Sequence, residues 1–405
     1  MRKLSIRNCD VAGKRVLMRV DFNVPFDRDR NITDDTRVVA ALPTIKNIIE
    51  RGGKLVLMSH LGRPRGKRDD QMSLAPVAFH LGSLIDSPVK FVKDCIGDEV
   101  VRKVEALKGG DILVLENLRF HPGEEANDPG FAAELATLGD IYVNDAFGTA
   151  HRAHASTVGV NEHFDIRAAG FLMERELEAL SNALENPNRP FVAILGGAKI
   201  KGKINLIQSL LSKVDVLLVG GGMMFTFFKS TGLEIGKSIV DDDYVGMCKE
   251  ILDGSRGGPS RLLLPVDCIV AKDLEENSPT REVSSADIPD DWAGVDIGPK
   301  SVSLFKSELA GAGTVFWNGP MGIFEKPRFA DGTKEVARAI ADATSVGAVS
   351  IVGGGDSVAA INLMGIAERF THVSTGGGAS LEFMEGKTLP GVEALCDVAE
   401  APCEG

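Results

Sequence analysis

The chain has 405 residues, 44% hydrophobic and 25% charged, the composition of an ordinary globular protein of two or three domains. Its net charge of -12 argues against non-specific binding to nucleic acid or membranes. The sign is unevenly distributed: residues 1 to 167 hold 24 Lys+Arg against 24 Asp+Glu, whereas the remainder holds 21 against 33. Six of the seven histidines also lie in the first half, so that half reads as built to receive an anion. The start MRKLSIRNCD has no apolar signal-like core, and no stretch approaches the roughly 18 apolar residues of a membrane span. A soluble, cytoplasmic protein is expected. Six cysteines without C-x-x-C or metal-ligand spacing predict free thiols in a reducing compartment and no structural metal.

The first strand, Arg15 to Val20, ends in Asp21-Phe22-Asn23-Val24-Pro25, and Pro25 stops further pairing. In an open parallel sheet the ligand crevice lies beyond the carboxyl ends of the strands, so Asp21 and Asn23 would point into it. An Asx turn is the competing reading of the same residues. Thr33, Asp34 and Asp35 mark the start of a helix over 36–51 that carries Arg37. The strand Lys54 to Ser59 runs into His60-Leu61-Gly62-Arg63-Pro64-Arg65-Gly66-Lys67-Arg68, where glycines permit close backbone approach and arginines offer planar forks. A solvated basic loop is the bland alternative. Strand 111–116 leads to Asn117-Leu118-Arg119-Phe120-His121, and strand 140–144 leads to Asp145 and then His151-Arg152-Ala153-His154. Four strand ends thus bring Asp, Asn, His or Arg to one edge, suited to a small phosphorylated acid.

A helix is predicted from Ala168 to Glu185, closed by Asn186-Pro187-Asn188-Arg189-Pro190, and the domain boundary is placed there. Further strands are read at 191–195, 214–219, 261–264, 314–317, 346–352 and 372–374. Gly196-Gly197-Ala198-Lys199 follows the first of these and precedes a helical pattern from Lys203 to Leu211, a phosphate cradle without Walker spacing. Glycine clusters recur at Gly220-Gly221-Gly222, Gly353-Gly354-Gly355-Asp356-Ser357 and Gly376-Gly377-Gly378. Each alone is a tight turn; several on one edge favour phosphate binding. Asp356 is the hard oxygen ligand that a nucleotide's Mg²⁺ requires. Asn318 opens Asn318-Gly319-Pro320-Met321-Gly322-Ile323-Phe324-Glu325, and Glu325 is a carboxylate able to accept ribose hydroxyls or a solvated helix-start residue.

RVDFNVP, SHLGRP, ENLRFHPGEE, NDAFGTAHRAHAS, LGGAK, GGGM, WNGPMGIFE, GGGD and STGGGASLEF occur in the order found in the phosphoglycerate kinase family, which the chain resembles over essentially its full length. The resemblance implies an α/β fold of two Rossmann-like parallel-sheet domains, each a three-layer αβα unit, joined by a hinge helix. It implies an acid-binding domain at 1–167, the interdomain helix at 168–185, a nucleotide-binding domain at 186–388, and a segment 389–405 returning to the first domain. Asp21, Asn23, Arg37, His60, Arg63, Arg119 and Arg152 would then bind 3-phosphoglycerate or 1,3-bisphosphoglycerate. Lys199, Lys203, Gly221, Asn318, Glu325, Gly353, Gly354, Gly355, Asp356 and Ser357 would serve ATP or ADP, with Mg²⁺ on Asp356. Arg37, Lys199 and the backbone at Gly376 and Gly377 would flank the transferring phosphoryl group. Domain closure, a monomer, and no nucleic-acid or membrane partner complete what the resemblance implies.

Lys201 is an added cation within Lys199-Ile200-Lys201-Gly202-Lys203 and is expected to project into solvent. A dehydrogenase reading lacks a G-x-G-x-x-G opening the first βα unit. A non-catalytic two-domain protein that binds phosphorylated acids is the alternative, and it gives Lys199, Asp356 and Glu325 no purpose.

Overall fold

Aliphatic runs become strands wherever they can be buried on both faces, and in this computed structural model they build two six-stranded parallel sheets. Residues 2–275 and 277–398 are described. The chain divides into two compact units, one holding the described residues through Glu178 and from Thr388 onward, the other Ala179–Lys387. The division falls inside the helix Phe171–Glu185.

In the first unit, β1 (Arg15–Arg19), β2 (Lys54–Met58), β3 (Val89–Phe91), β4 (Ile112–Val114), β5 (Ile141–Asn144) and β6 (Arg167–Ala169) lie in the order β3-β4-β2-β1-β5-β6. Val16, Met18, Leu55, Leu57, Val114 and Val143 are buried in one core, each such side chain contributing about 1.5–3 kcal/mol. The register pairs Arg19 with both Met58 and Asn144, and Leu57 with Val114. The segments that follow β1, β2, β4 and β5 therefore emerge side by side along one edge.

The second unit places β7 (Phe191–Leu195), β8 (Val216–Val219) and β9 (Arg261–Leu263) beside β13 (Thr314–Asn318), β14 (Val349–Gly353) and β15 (His372–Val373), in the order β15-β14-β13-β7-β8-β9. Between β9 and β13 it adds an antiparallel sheet of β10 (Asp267–Ala271), β11 (Thr280–Ser284) and β12 (Ala293–Ile297), ordered β11-β10-β12. Here too the glycine clusters stand at the carboxyl ends of β7, β8, β14 and β15.

Several sequence boundaries move. The helix expected from Ala168 begins at Phe171, because Ala168 and Ala169 pair with Val143 and Asn144 as part of β6. Its start is fixed by Asp145, whose Oδ1 accepts from Leu172 N at 2.9 Å and Met173 N at 3.2 Å. The strands expected from Val214 and Val346 begin at Val216 and Val349; Val346 is 80% exposed at the end of helix Asp331–Ser345. Returning residues are hydrogen-bonded into the first unit, Cys396 N donating to Arg167 O at 3.0 Å and Gly391 N to Ala150 O at 2.8 Å. Of the segment 389–405, residues 399–405 lie outside the described part.

Candidate active site

In the first unit the edge beyond β1, β2, β4 and β5 is a cluster of cations around one neutral imidazole. Arg19, the last residue of β1, is fully buried and donates from Nη2 to Nδ1 of His60 at 3.1 Å. A guanidinium can only donate, so Nδ1 is the acceptor and the His60 proton sits on Nε2. Burial first, then Arg19, Arg119, Arg37 and Arg152, holds His60 well below the ordinary imidazole range. His60 is thus a neutral N–H donor in a field of positive charge. Arg19 is in turn fixed by Ser156, whose Oγ accepts from Nε at 2.9 Å and donates to the buried Glu124 at 2.6 Å.

Asp21 is salt-bridged to Arg37, Oδ2 to Nη1 being 2.7 Å, with its other oxygen 3.9 Å from His60 Nδ1. It also accepts from Asn23 N at 3.3 Å, so the Asx turn is present. Asn23 Oδ1 accepts from Gly62 N at 2.9 Å and pins the basic loop to the β1 exit. Arg119 is 2% exposed and donates from Nη1 to Gly62 O at 2.9 Å. Its Nε is 3.2 Å from Glu125 without hydrogen-bond alignment, and Nη2 is buried without an acceptor. An unmet guanidinium donor at this depth is costly, and an anion would satisfy it. Arg152 is half-buried beside His151, its Nε 3.2 Å from Nε2 of that ring. Arg63 is exposed and makes no hydrogen bond or ion pair among the described residues.

Three participants escaped the sequence reading, and a fourth, Asn117, was read only as part of a strand-end motif. Arg19 is a charge inside an apolar strand; Glu124 and Ser156 lie far apart in sequence and carry its support. Asn117, fully buried, donates to Leu61 O and Met72 O and accepts from Leu61 N and Arg119 N, fastening the two site loops together. For Arg19 the available signal was a charge between Met18 and Val20 in an apolar strand.

In the second unit the glycine turns pack backbone against backbone. Gly197 N donates to Pro320 O at 2.8 Å, Gly221 N to Met321 O at 3.1 Å, and Gly196 N to Asn318 O at 2.9 Å. Gly221 has φ +65°, and a Cβ there would stand 2.4 Å from Gly197 N. Gly221 is therefore required by its neighbouring turns. Lys203 Nζ donates to Gly196 O at 2.5 Å and Asn318 O at 3.3 Å, and burial pushes the amine down to about 8, opposed by Asp356. Asn318 is buried with Nδ2 unmatched, against Gly354 at φ +89°.

Asp356 is exposed in the first turn of helix Gly355–Leu363, close enough to Lys203 for the two charges to interact. Gly353 closes β14 just ahead of it. Ser357 faces inward, its hydroxyl accepting from Gly319 N at 2.6 Å, so its side chain braces the β13 turn. Lys199 and Lys201 are both exposed, as is Glu325, which lies in a turn rather than at a helix start. Gly376 N is taken by Ser374 Oγ at 3.1 Å, whereas Gly377, at φ +50°, leaves its N–H without a partner among the described residues.

The arrangement matches known proteins. A family model described as phosphoglycerate kinase matches residues 6–387. Curated relatives named phosphoglycerate kinase include one from Chlorobium chlorochromatii, 56% identical over 395 residues, covering 98% of this chain and all of the relative. Another, from Chlorobaculum tepidum, is 56% identical over 397 residues with the same coverage. Among solved structures, phosphoglycerate kinase from Coxiella burnetii superposes with TM-score 0.87 at 41% identity, covering 97% of this chain and 98% of that one. The Pyrococcus horikoshii enzyme gives 0.84 at 34% identity over the same shares. On this agreement of motif order, fold and relatives, the chain belongs to the phosphoglycerate kinase family.

Proposed function

We propose that the arginine cluster around neutral His60 holds 3-phosphoglycerate or 1,3-bisphosphoglycerate, and that the glycine edge of the second unit holds ADP or ATP. The chain is a phosphotransferase with a carboxyl acceptor, moving the acyl phosphate of 1,3-bisphosphoglycerate to ADP. The observation that carries the site assignment is the buried, unmet Nη2 of Arg119 among Arg19, Arg37, Arg152 and the Nε2–H of His60. That set of donors fits a small polyanion. The non-catalytic alternative has nothing in its favour.

Phosphoryl transfer needs positioning and charge neutralisation more than covalent help. The attacking oxygen in the ATP-forming direction is already an anion, so no general base is required. Arg37 and Lys199 stabilise charge on the moving group, with the Gly377 N–H as a further donor. Lys203, occupied by two carbonyls, shapes the turn that Lys199 stands on. Asp356 fits Mg²⁺: it is an exposed carboxylate at a glycine turn, and Mg²⁺ is commonly held by one such group plus phosphate oxygens. The ion would neutralise charge on the nucleotide phosphates. Among the described residues five buried free thiols agree with a reducing, cytoplasmic setting, and no helix is long and apolar enough to cross a membrane. A monomer is the proposed working form, to be checked by light scattering.

The test is ADP release from MgATP with 3-phosphoglycerate, beside glycerate and acetate and beside Lys199→Ala. Activity with 3-phosphoglycerate alone, and a loss of about 10²–10³ in kcat in the variant, is expected. Wild-type-like turnover in Lys199→Ala would remove that lysine from the site.

A further inference from the structure

His121 belongs to a motif that the reaction does not use, and the fold gives it unexpected company. The loop after β3 carries Asp94 and Cys95, and the loop after β4 carries His121. Because β3 and β4 are parallel neighbours, the two loops leave the sheet together, and Glu116 N donates to Asp94 O at 3.3 Å between them. Asp94 Oδ1 lies 2.7 Å from His121 Nε2 and accepts from Cys95 N at 2.7 Å. One donor atom from each of Asp94, Cys95 and His121 falls within 4.8 Å of the others.

We infer that Asp94, Cys95 and His121 form a binding site for a thiophilic divalent cation of the Zn²⁺ class, separate from the nucleotide's metal. Thiolate, imidazole and carboxylate are the donor types such an ion takes, and three protein ligands leave a fourth position for water. Zinc bond lengths place tetrahedral donors roughly 3.4–3.6 Å apart, so the 2.7 Å Asp94–His121 contact must open, and the sulfur must settle at that spacing from a starting point within 4.8 Å of both partners. The layout permits this. Cys95 is fully buried at the floor, while the side chains of His121 and Asp94 are 30% and 53% exposed at the mouth. The ring of His121 is steadied by stacking on Phe131, centroids 5.3 Å apart.

The surrounding charge also favours a cation. Asp94, Glu124 and Glu116 place negative charge near the Cys95 sulfur. An arriving ion meets those carboxylates and replaces the thiol proton, which leaves to solvent as the Zn–S bond forms, while His121 binds neutral. With one thiolate and one carboxylate on a dication, the occupied site is electrically neutral. Sequence spacing concealed it, since His121 stands 26 positions after Cys95 and outside any metal-binding pattern.

The test is titration of the full-length, metal-stripped protein with Co²⁺ without nucleotide, followed by displacement with Zn²⁺. One equivalent should give a thiolate-to-cobalt charge-transfer band that Cys95→Ser abolishes. His121→Gln and Asp94→Asn, at partly exposed positions, should each weaken Zn²⁺ binding by about tenfold or more. Circular dichroism of Cys95→Ser separates lost ligand from lost fold. Absence of the band, its survival in Cys95→Ser, or unchanged affinity in both exposed variants would overturn the site.

Discussion

Arg119 shows how one residue can be bound by its surroundings and still be unfinished. Gly62 O engages Nη1, Glu125 stands by Nε, and Nη2 has nothing. Burial lowers the guanidinium's pKa in the absence of a guest, so an incoming anion relieves a penalty as well as adding attraction. A lysine keeps the charge but not the fork. Arg119→Lys is expected to raise KM for 3-phosphoglycerate by about 10–100-fold while leaving KM for MgATP near wild type, because every acid-binding candidate belongs to the first unit. Steady-state kinetics with each substrate varied in turn checks this, and equal damage to both would refute the division of labour. Arg19 was hidden for the reason that makes it useful. It interrupts Val16-Leu17-Met18 and Val20 with a charge whose side-chain partners, His60 and Ser156, come from distant segments, while Val20 O takes a third donor locally.

Elements divide by how plainly burial is written into them. Strands β1, β2, β7 and β13 are apolar runs buried along nearly their whole length, and the sequence pattern locates them. β3 is three residues with no buried position, and four of the five residues of β11, Thr-Arg-Glu-Val-Ser, are exposed, so neither carries a pattern to read. The glycine turns were visible as glycines, but not the reason for each. Gly221 answers to the β7 and β13 turns, with a Cβ meeting backbone at 2.4, 2.6 and 2.8 Å. Gly221→Ala combines a left-handed penalty with overlap that backbone cannot yield, and a loss of about 2–5 kcal/mol is expected by urea denaturation. Gly246→Ala, in helix Val245–Ser255 with open space for the methyl, should cost nothing or add up to about 1 kcal/mol. A similar response of the two variants would deny the turn packing.

Whole-molecule stability carries opposing pH terms. Asp296, 2% exposed, accepts from Gly332 N at 2.7 Å and Ile297 N at 2.9 Å, and burial pushes it up to about 7. Between about pH 4 and 7 the folded chain keeps a proton the unfolded chain has lost, so this contribution is present at low pH and lost as pH rises through 7. His154 acts oppositely: burial and then Arg119 hold it down to about 4, so its contribution is present above about 6.5 and lost as pH falls. Asp296→Asn isolates the first term. Its unfolding free energy relative to wild type should climb from pH 4 to 7 and then level off, and a flat difference across that range would show that Asp296 titrates normally.

The path of the chain has a consequence for its synthesis. Unit two is one uninterrupted stretch, Ala179–Lys387, and can close as soon as its last residue is made. Unit one has all six strands by Ala169, yet Leu4 N, Arg167 O and Ala150 O receive their partners only from Gly391 and Cys396. At roughly 5–20 residues per second, the ribosome takes roughly 10–40 s to translate the intervening unit. For that interval the half that gathers the arginines exists as a sheet without its fastening, while the half translated later is finished first.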